Sequence, residues 1–158
     1  MSLDRNREVL AHLYGSFQRR DAQGMIDCYA EDAVFEDPVF GQLDHELLTR
    51  MWRMFCERGQ DLEVSFVVSP TENGGTVEWD ARYTFRKTGR KVHNRIASLF
   101  EVRDGKIVKQ KDSFSLWRWS RMALGATGIL FGWAPPVQRA IRSAAQKDLR
   151  SYSSSVSN

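Results

Sequence analysis

At Gly59 the hydrophobic pattern of this 158-residue chain changes its period. Before that point apolar residues recur every three or four positions, as Val9, Leu10, Leu13, Tyr14 and Phe17, and again as Leu47, Leu48, Met51, Trp52 and Phe55. Beyond it they alternate, as Val64, Phe66 and Val68, then Val77, Trp79, Ala81, Tyr83 and Phe85. The first spacing suits one face of a helix and the second suits a half-buried strand. Helices followed by a run of strands predict an α+β fold. The helices come early and are few, so they can cover only one face of the sheet. A mostly antiparallel sheet curved around them forms a cone, and the open end of a cone is a natural place for a small ligand.

The punctuation supports this order. Asp21 is placed to cap a short helix bearing Met25, Ile26 and Tyr29, and Asp44 opens a third helix that Gly59 closes. A strand over Ala33–Asp37 ends at Pro38, which cannot donate to a ladder. Turns at 72–75, at Gly89 and at Asp104-Gly105 separate four later strands, the last expected over Ile107–Trp119. Residues 1–119 thus read as one domain, 120–150 as a helical extension packed on it and 151–158 as a disordered tail. In the extension, Gly125, Gly128 and Gly132 interrupt the apolar Ile129-Leu130-Phe131 and Trp133, and Pro136 is suited to a helix's first turn.

The net charge of +3 is unevenly spread: after residue 119 the chain has Arg121, Arg139, Arg142, Lys147 and Arg150 against Asp148 alone. The body carries no basic surplus, so nucleic acid is not expected as a partner. Cys28 and Cys56 have no CxxC or Cys/His spacing, and the three histidines form no cluster, so neither a metal nor another cofactor is expected. Nothing approaches the roughly 20 apolar residues needed to span a bilayer. The charged start lacks the apolar core of a leader. A cytoplasmic protein is expected, with a membrane ranked last among partners because the stripe of the final helix is thin and alanine-rich.

Chemistry is suggested by "VFEDPVFG", residues 34–41, where Glu36 and Asp37 interrupt an apolar run. Period two sends them to opposite faces, with Asp37 inward and Glu36 outward. A carboxylate against an apolar pocket has a raised pKa and is a better base than one in water. The bland alternative is that Asp37 merely caps the turn at Pro38. Asp112 falls on the inward face of the last strand with Phe114 and needs a partner there. Arg95 on the neighbouring strand is the expected one, as a structural ion pair or as part of a site.

The stretches "YGSFQRRDAQGMIDCYAEDAVFEDPVFG" and "LFEVRDGKIVKQKDSF", with the long strands between them, resemble the nuclear transport factor 2-like superfamily, in particular its SnoaL-like and ketosteroid isomerase-like branch. The resemblance implies a cone of curved sheet and three helices, a homodimer through the outer sheet face, and an apolar pocket for a small hydrophobic molecule. By motif it implies Asp37 as the general base of a proton transfer. It puts Ala97 where the family's oxyanion-donating Asp stands and Leu13 at the phenolic position, with Tyr14 one residue later and about 100° around the helix. The limonene epoxide hydrolase type, with its Asp-Arg-Asp set, is matched by Arg95 and Asp112 but again meets Ala97. Tyr14, Trp52, Phe55, Tyr83 and Phe114 are the expected ligand-lining residues. A non-catalytic binder on the same scaffold is the alternative.

Overall fold

A computed structural model describes residues 2–152; of the tail expected over 151–158, Ser151 ends the last helix and Tyr152 caps it, and 153–158 lie outside the described residues. Helix α1 (Leu3–Gln18) starts on Ser2, whose side chain accepts from Arg5 N, and buries Leu10, Leu13, Tyr14 and Phe17. Asp21 caps α2 (Ala22–Ile26) through Gly24 N. Strands β1 (Tyr29–Asp37) and β2 (Gly41–Leu43) lead to α3 (His45–Arg58), capped by Asp44 and buried through Leu48, Met51 and Trp52. Four strands follow: β3 (Glu63–Thr71), β4 (Gly74–Phe85), β5 (Arg90–Arg103) and β6 (Lys106–Ser113). The β5–β6 hairpin turns on Asp104 and Gly105, both with φ in the left-handed region that such tight turns require.

The six strands form one open mixed sheet in the order β2-β1-β6-β5-β4-β3. Strands β3 to β6 are an antiparallel meander, and β1 lies parallel to β6. Alternation is clean along β5: Val92, Asn94, Ile96, Ser98 and Phe100 are buried while Arg95, Ala97 and Leu99 are exposed. The fold is therefore the α+β arrangement expected, with α1 and α3 on the inner face of the sheet.

Two boundaries differ. Strand β1 begins at Tyr29 and not at Ala33, so Tyr29 lies on the strand and not on α2 with Met25 and Ile26. The last strand stops at Ser113, and Leu116–Leu124 is a helix, α4. Ser115 caps it by accepting from Arg118 N, and Leu116, Trp119 and Ala123 are spaced to make a buried helical face. Two-residue alternation from Phe114 to Leu116 mimics a strand, but the three- and four-residue spacing that follows decides the outcome. Helices α5 (Ala126–Phe131) and α6 (Pro135–Ser151) complete the chain.

The end of α6 returns to α3. Leu149 is 1% exposed within the main core, Arg58 pairs with Asp148 at 2.8 Å, and Arg50 donates to the Arg150 carbonyl at 2.9 Å. Leu149→Ala should lower unfolding free energy in chemical denaturation by about 2–5 kcal/mol, the usual loss for a fully buried leucine. A loss of only a few tenths would mean that α6 does not depend on this docking.

Candidate active site

Strand alternation puts Ser98 and Asp112 directly opposite each other, both facing inward. Ser98 Oγ donates to Asp112 Oδ1 at 2.5 Å, and Gln110 Nε2 donates to the same oxygen at 2.9 Å. Behind Ser98 stand two further donors: Tyr14 Oη at 3.1 Å and Trp79 Nε1 at 2.8 Å. Behind Gln110, Tyr29 Oη donates to Oε1 at 2.5 Å and itself accepts from Trp52 Nε1 at 3.1 Å. A hydroxyl has one proton and two lone pairs, so Ser98 is saturated and its proton can only point at Asp112. Both chains of hydrogen bonds therefore run one way and end on a single carboxylate oxygen.

Among the described residues no donor reaches Asp112 Oδ2. Asp112 is 6% exposed, and Oδ2 is not among the fully enclosed polar atoms lacking a partner. Burial, with a smaller contribution from the Asp37 charge, pushes the Asp112 pKa up to about 7 despite the two donors. At neutral pH much of this group carries a proton, and the oxygen left to carry it is Oδ2.

Asp37 ends β1. Its Oδ1 accepts from Val39 N at 2.9 Å and Phe40 N at 2.6 Å, closing the turn around Pro38. The capping role is thus real, but it uses only one oxygen. Burial pushes the Asp37 pKa up to about 6, against the lowering effect of the two backbone donors. Glu36 is exposed. Both carboxyl groups are thus raised, to different values, and the Asp37 charge contributes to the shift of Asp112.

The remaining predicted residues divide. Tyr14 is fully buried and joined to Asp112 through Ser98, so the rotation expected to carry it away does not; the apolar face of α1 is wide enough to bury both Leu13 and Tyr14. Trp52 is a core residue joined to the site through Tyr29. Phe55, Tyr83 and Phe114 are half-buried; Phe55 stacks near Phe40, and Tyr83 accepts from Trp119 Nε1 at 2.8 Å. Arg95 does not reach Asp112. It stands on the outer face, its side chain 67% exposed, 3.5 Å from Asp80, which also contacts His93. An odd-numbered residue of β5 faces outward, so the Arg95–Asp112 ion pair and the Asp-Arg-Asp set are both absent.

Ala97 likewise faces outward, opposite Ser113, and the inward hydroxyl is its neighbour Ser98. Glu101 pairs with Lys109 but Val102 with Ile107, leaving Val108 of β6 as an unopposed bulge residue. Ser98 and Gln110 are neutral and carry no charge to mark them, and Tyr29 and Trp79 stand in the sequence as apolar-spaced residues rather than as donors. The available signal was the outward phase of Arg95, Glu101, Lys109 and Lys111, which leaves Ser98 and Gln110 as uncharged polar residues facing in.

Above the site, Arg142 of α6 donates to the Pro38 carbonyl at 2.8 Å and Gln146 to the Phe40 carbonyl at 3.3 Å. Val39 packs with Leu116 and Trp119 of α4. The C-terminal helices thus rest on the turn that orients Asp37. Two surface clefts, of ≈ 600 and ≈ 470 Å³, lie elsewhere, around Arg58 and Tyr152 and around Ser143 and Arg150. Among the described residues no group of three or more His, Cys, Asp or Glu could hold a metal ion.

Residues 10–110 match the SnoaL-like domain model, and the chain belongs to that family, within the nuclear transport factor 2-like superfamily. No curated protein sequence matches it significantly. Similar solved structures include a candidate polyketide cyclase from Xanthomonas campestris pv. campestris, at TM-score 0.66 and 18% identity, covering 75% of this chain and 96% of that one. An LEH-like epoxide hydrolase from M. tuberculosis follows at 0.64 and 17%, covering 80% and 93%. A hypothetical protein with a ketosteroid isomerase-like fold from Catenulispora acidiphila, in complex with trimethylamine, stands at 0.64 and 13%, covering 73% and 92%. These identities establish a shared fold.

Raised carboxyl pKa values make stability depend on pH. The folded protein holds protons that the unfolded chain, with carboxyls near 4, has released. Stability is therefore greatest below about pH 4 as far as these two groups decide it, and falls as pH rises through about 6 and 7. The slope is at most roughly 1.4 kcal/mol per pH unit for each group. Asp112→Asn keeps an acceptor for Ser98 and Gln110 and cannot ionise. Denaturation curves of the variant should lose most of the decline between pH 5 and 8 that wild type displays; parallel profiles would contradict this assignment.

Proposed function

We propose that this protein moves a proton on a small, mainly apolar molecule, with Asp37 as the base and Asp112 as the proton donor. The observation that carries this reading is the one-way hydrogen bonding onto Asp112 Oδ1, which leaves a protonated Oδ2 free to face a ligand. Asp37, with the lower pKa, is the group ready to accept a proton. In a carbonyl substrate, Asp37 Oδ2 would take a proton from the carbon beside the carbonyl. Asp112 would donate to the carbonyl oxygen as charge develops on it; as the proton on Asp37 returns to carbon, Asp112 would take its own back from the enol oxygen. Tyr14, through Ser98, is a positioning residue, and Phe55, Tyr83 and Phe114 would line the approach. Arg95 has no part in this chemistry.

The helices α4 and α6 would serve as a cover over that approach, since they rest on Val39 and on the carbonyls of Pro38 and Phe40. A homodimer through the outer sheet face remains our expectation, supported by the exposed Val67 and Leu99. The two free cysteines suit a reducing compartment such as the cytoplasm.

Incubating the protein with a panel of cyclic ketones in D₂O and following deuterium uptake beside the carbonyl tests the reading. Uptake should fall roughly 100-fold or more in Asp37→Asn. Its pH profile should be bell-shaped, rising through about 6 as the base ionises and falling beyond about 7 as the donor is lost. Ketones that bind without exchanging would favour the non-catalytic binder, and exchange indifferent to Asp37→Asn would remove Asp37 from the chemistry.

A further inference from the structure

Helix α5 presents its large side chains to solvent. Ile129 is 53% exposed, Leu130 61%, Phe131 54% and, just beyond, Trp133 62%. The cause is the glycine pair on its other side. A Cβ on Gly128 would lie 1.9 Å from the Ser120 carbonyl oxygen, and one on Gly132 would lie 2.0 Å from Ser120 Oγ. Only glycine allows α5 to press this closely on the backbone of α4. With 128 and 132 turned inward, the three residues between them have nowhere to go but outward. Trp117 of α4 is 41% exposed on the same hairpin, with the Arg121 guanidinium 5.1 Å from its ring centre.

The charge along this stretch of chain is of one sign. From Ser113 to Lys147 the chain has no acidic residue, while Arg118, Arg121 and Arg139 are exposed there. The β4–β5 hairpin adds Arg86 and Lys87 and is tied to α4 by Thr88 Oγ1 donating to the Ala123 carbonyl and Arg90 to the Met122 carbonyl. An apolar tip containing tryptophan, carried on a stretch of chain with exposed cations and no acid, matches the interface of an anionic bilayer, where apolar side chains enter the acyl boundary and basic ones meet the headgroups. No helix among the described residues is long and apolar enough to cross a membrane, so contact would be from one side. The low rank given to a membrane above rested on α6; the exposed surface belongs to α5.

We propose that the α4–α5 hairpin is a docking element that lays Ile129–Trp133 into the surface of an anionic membrane. The test is co-sedimentation of the full chain with phosphatidylcholine vesicles, with and without phosphatidylserine. Binding should require phosphatidylserine, weaken as salt is raised, and be lost in Phe131→Ser/Trp133→Ser, whose exposed positions leave folding intact by circular dichroism. Arg118→Glu/Arg121→Glu should bind roughly tenfold more weakly or worse. Brominated lipid should quench the tryptophan emission of wild type more than that of Trp133→Phe. Absence of binding, or equal binding to neutral vesicles, overturns the proposal. So does a smaller sedimentation coefficient for the serine variant in the absence of vesicles, which would mean that a second copy of the chain covers the wedge.

Discussion

Two hydrogen bonds end on Oδ1 of Asp112, and most of the inner sheet is arranged to deliver them. An uncompensated polar group in such a place costs several kcal/mol. Here each donor is itself fixed by another: Ser98 by Tyr14 and Trp79, Gln110 by Tyr29, Tyr29 by Trp52. These partners come from α1, α3, β1, β4, β5 and β6, so the network ties together nearly every element that builds the core. Because the indoles of Trp52 and Trp79 can only donate and Oδ1 of Asp112 receives two donors, the direction is set from both ends. The carboxyl group at its end is supported on one oxygen and unsupported on the other, and that asymmetry is what makes it suited to hold a proton at neutral pH.

Asp37 has the same asymmetry from a different source. Its Oδ1 is consumed by the backbone of its own turn, which Pro38 shapes and the C-terminal helices hold from outside. The cap on the strand uses one oxygen and leaves the second without a donor among the described residues, so the two readings of this residue are not rivals. Helices α4 and α6, which contact the turn after Asp37, are joined to the apolar wedge of α5 by a short run of chain. A protein whose ligand is apolar has a plain use for such a surface, since that ligand partitions into membranes.

Much of this was legible in the sequence. The change of period at Gly59, the caps at Asp21 and Asp44, and the Asp104-Gly105 turn each rest on local physics, and the α+β order follows from them. The inward Asp37 and Asp112 were readable from alternation. What was lost depended on phase along β5. The family correspondence falls on the outward Ala97, one residue short of the inward Ser98 that carries the hydroxyl on which the site is built. Arg95 was assigned to Asp112 because a buried acid needs a partner, whereas the partners are neutral donors with no charge to advertise them. Trp119 was assigned to a strand because the cap at Ser115 was overlooked. The wedge of α5 could not be foreseen from composition, since its exposure comes from two glycines packed against a neighbouring helix.

The central claim is that two carboxyl groups of this core titrate far above the ordinary range, and a ¹³C NMR titration of the aspartate side chains measures it directly. With Asp37→Asn and Asp112→Asn used to assign the signals, midpoints near 6 for Asp37 and near 7 for Asp112 are predicted. Asp112 should move down when Asp37 is neutralised, because part of its elevation is the Asp37 charge. Midpoints for both groups near the ordinary value of about 4 would contradict the account.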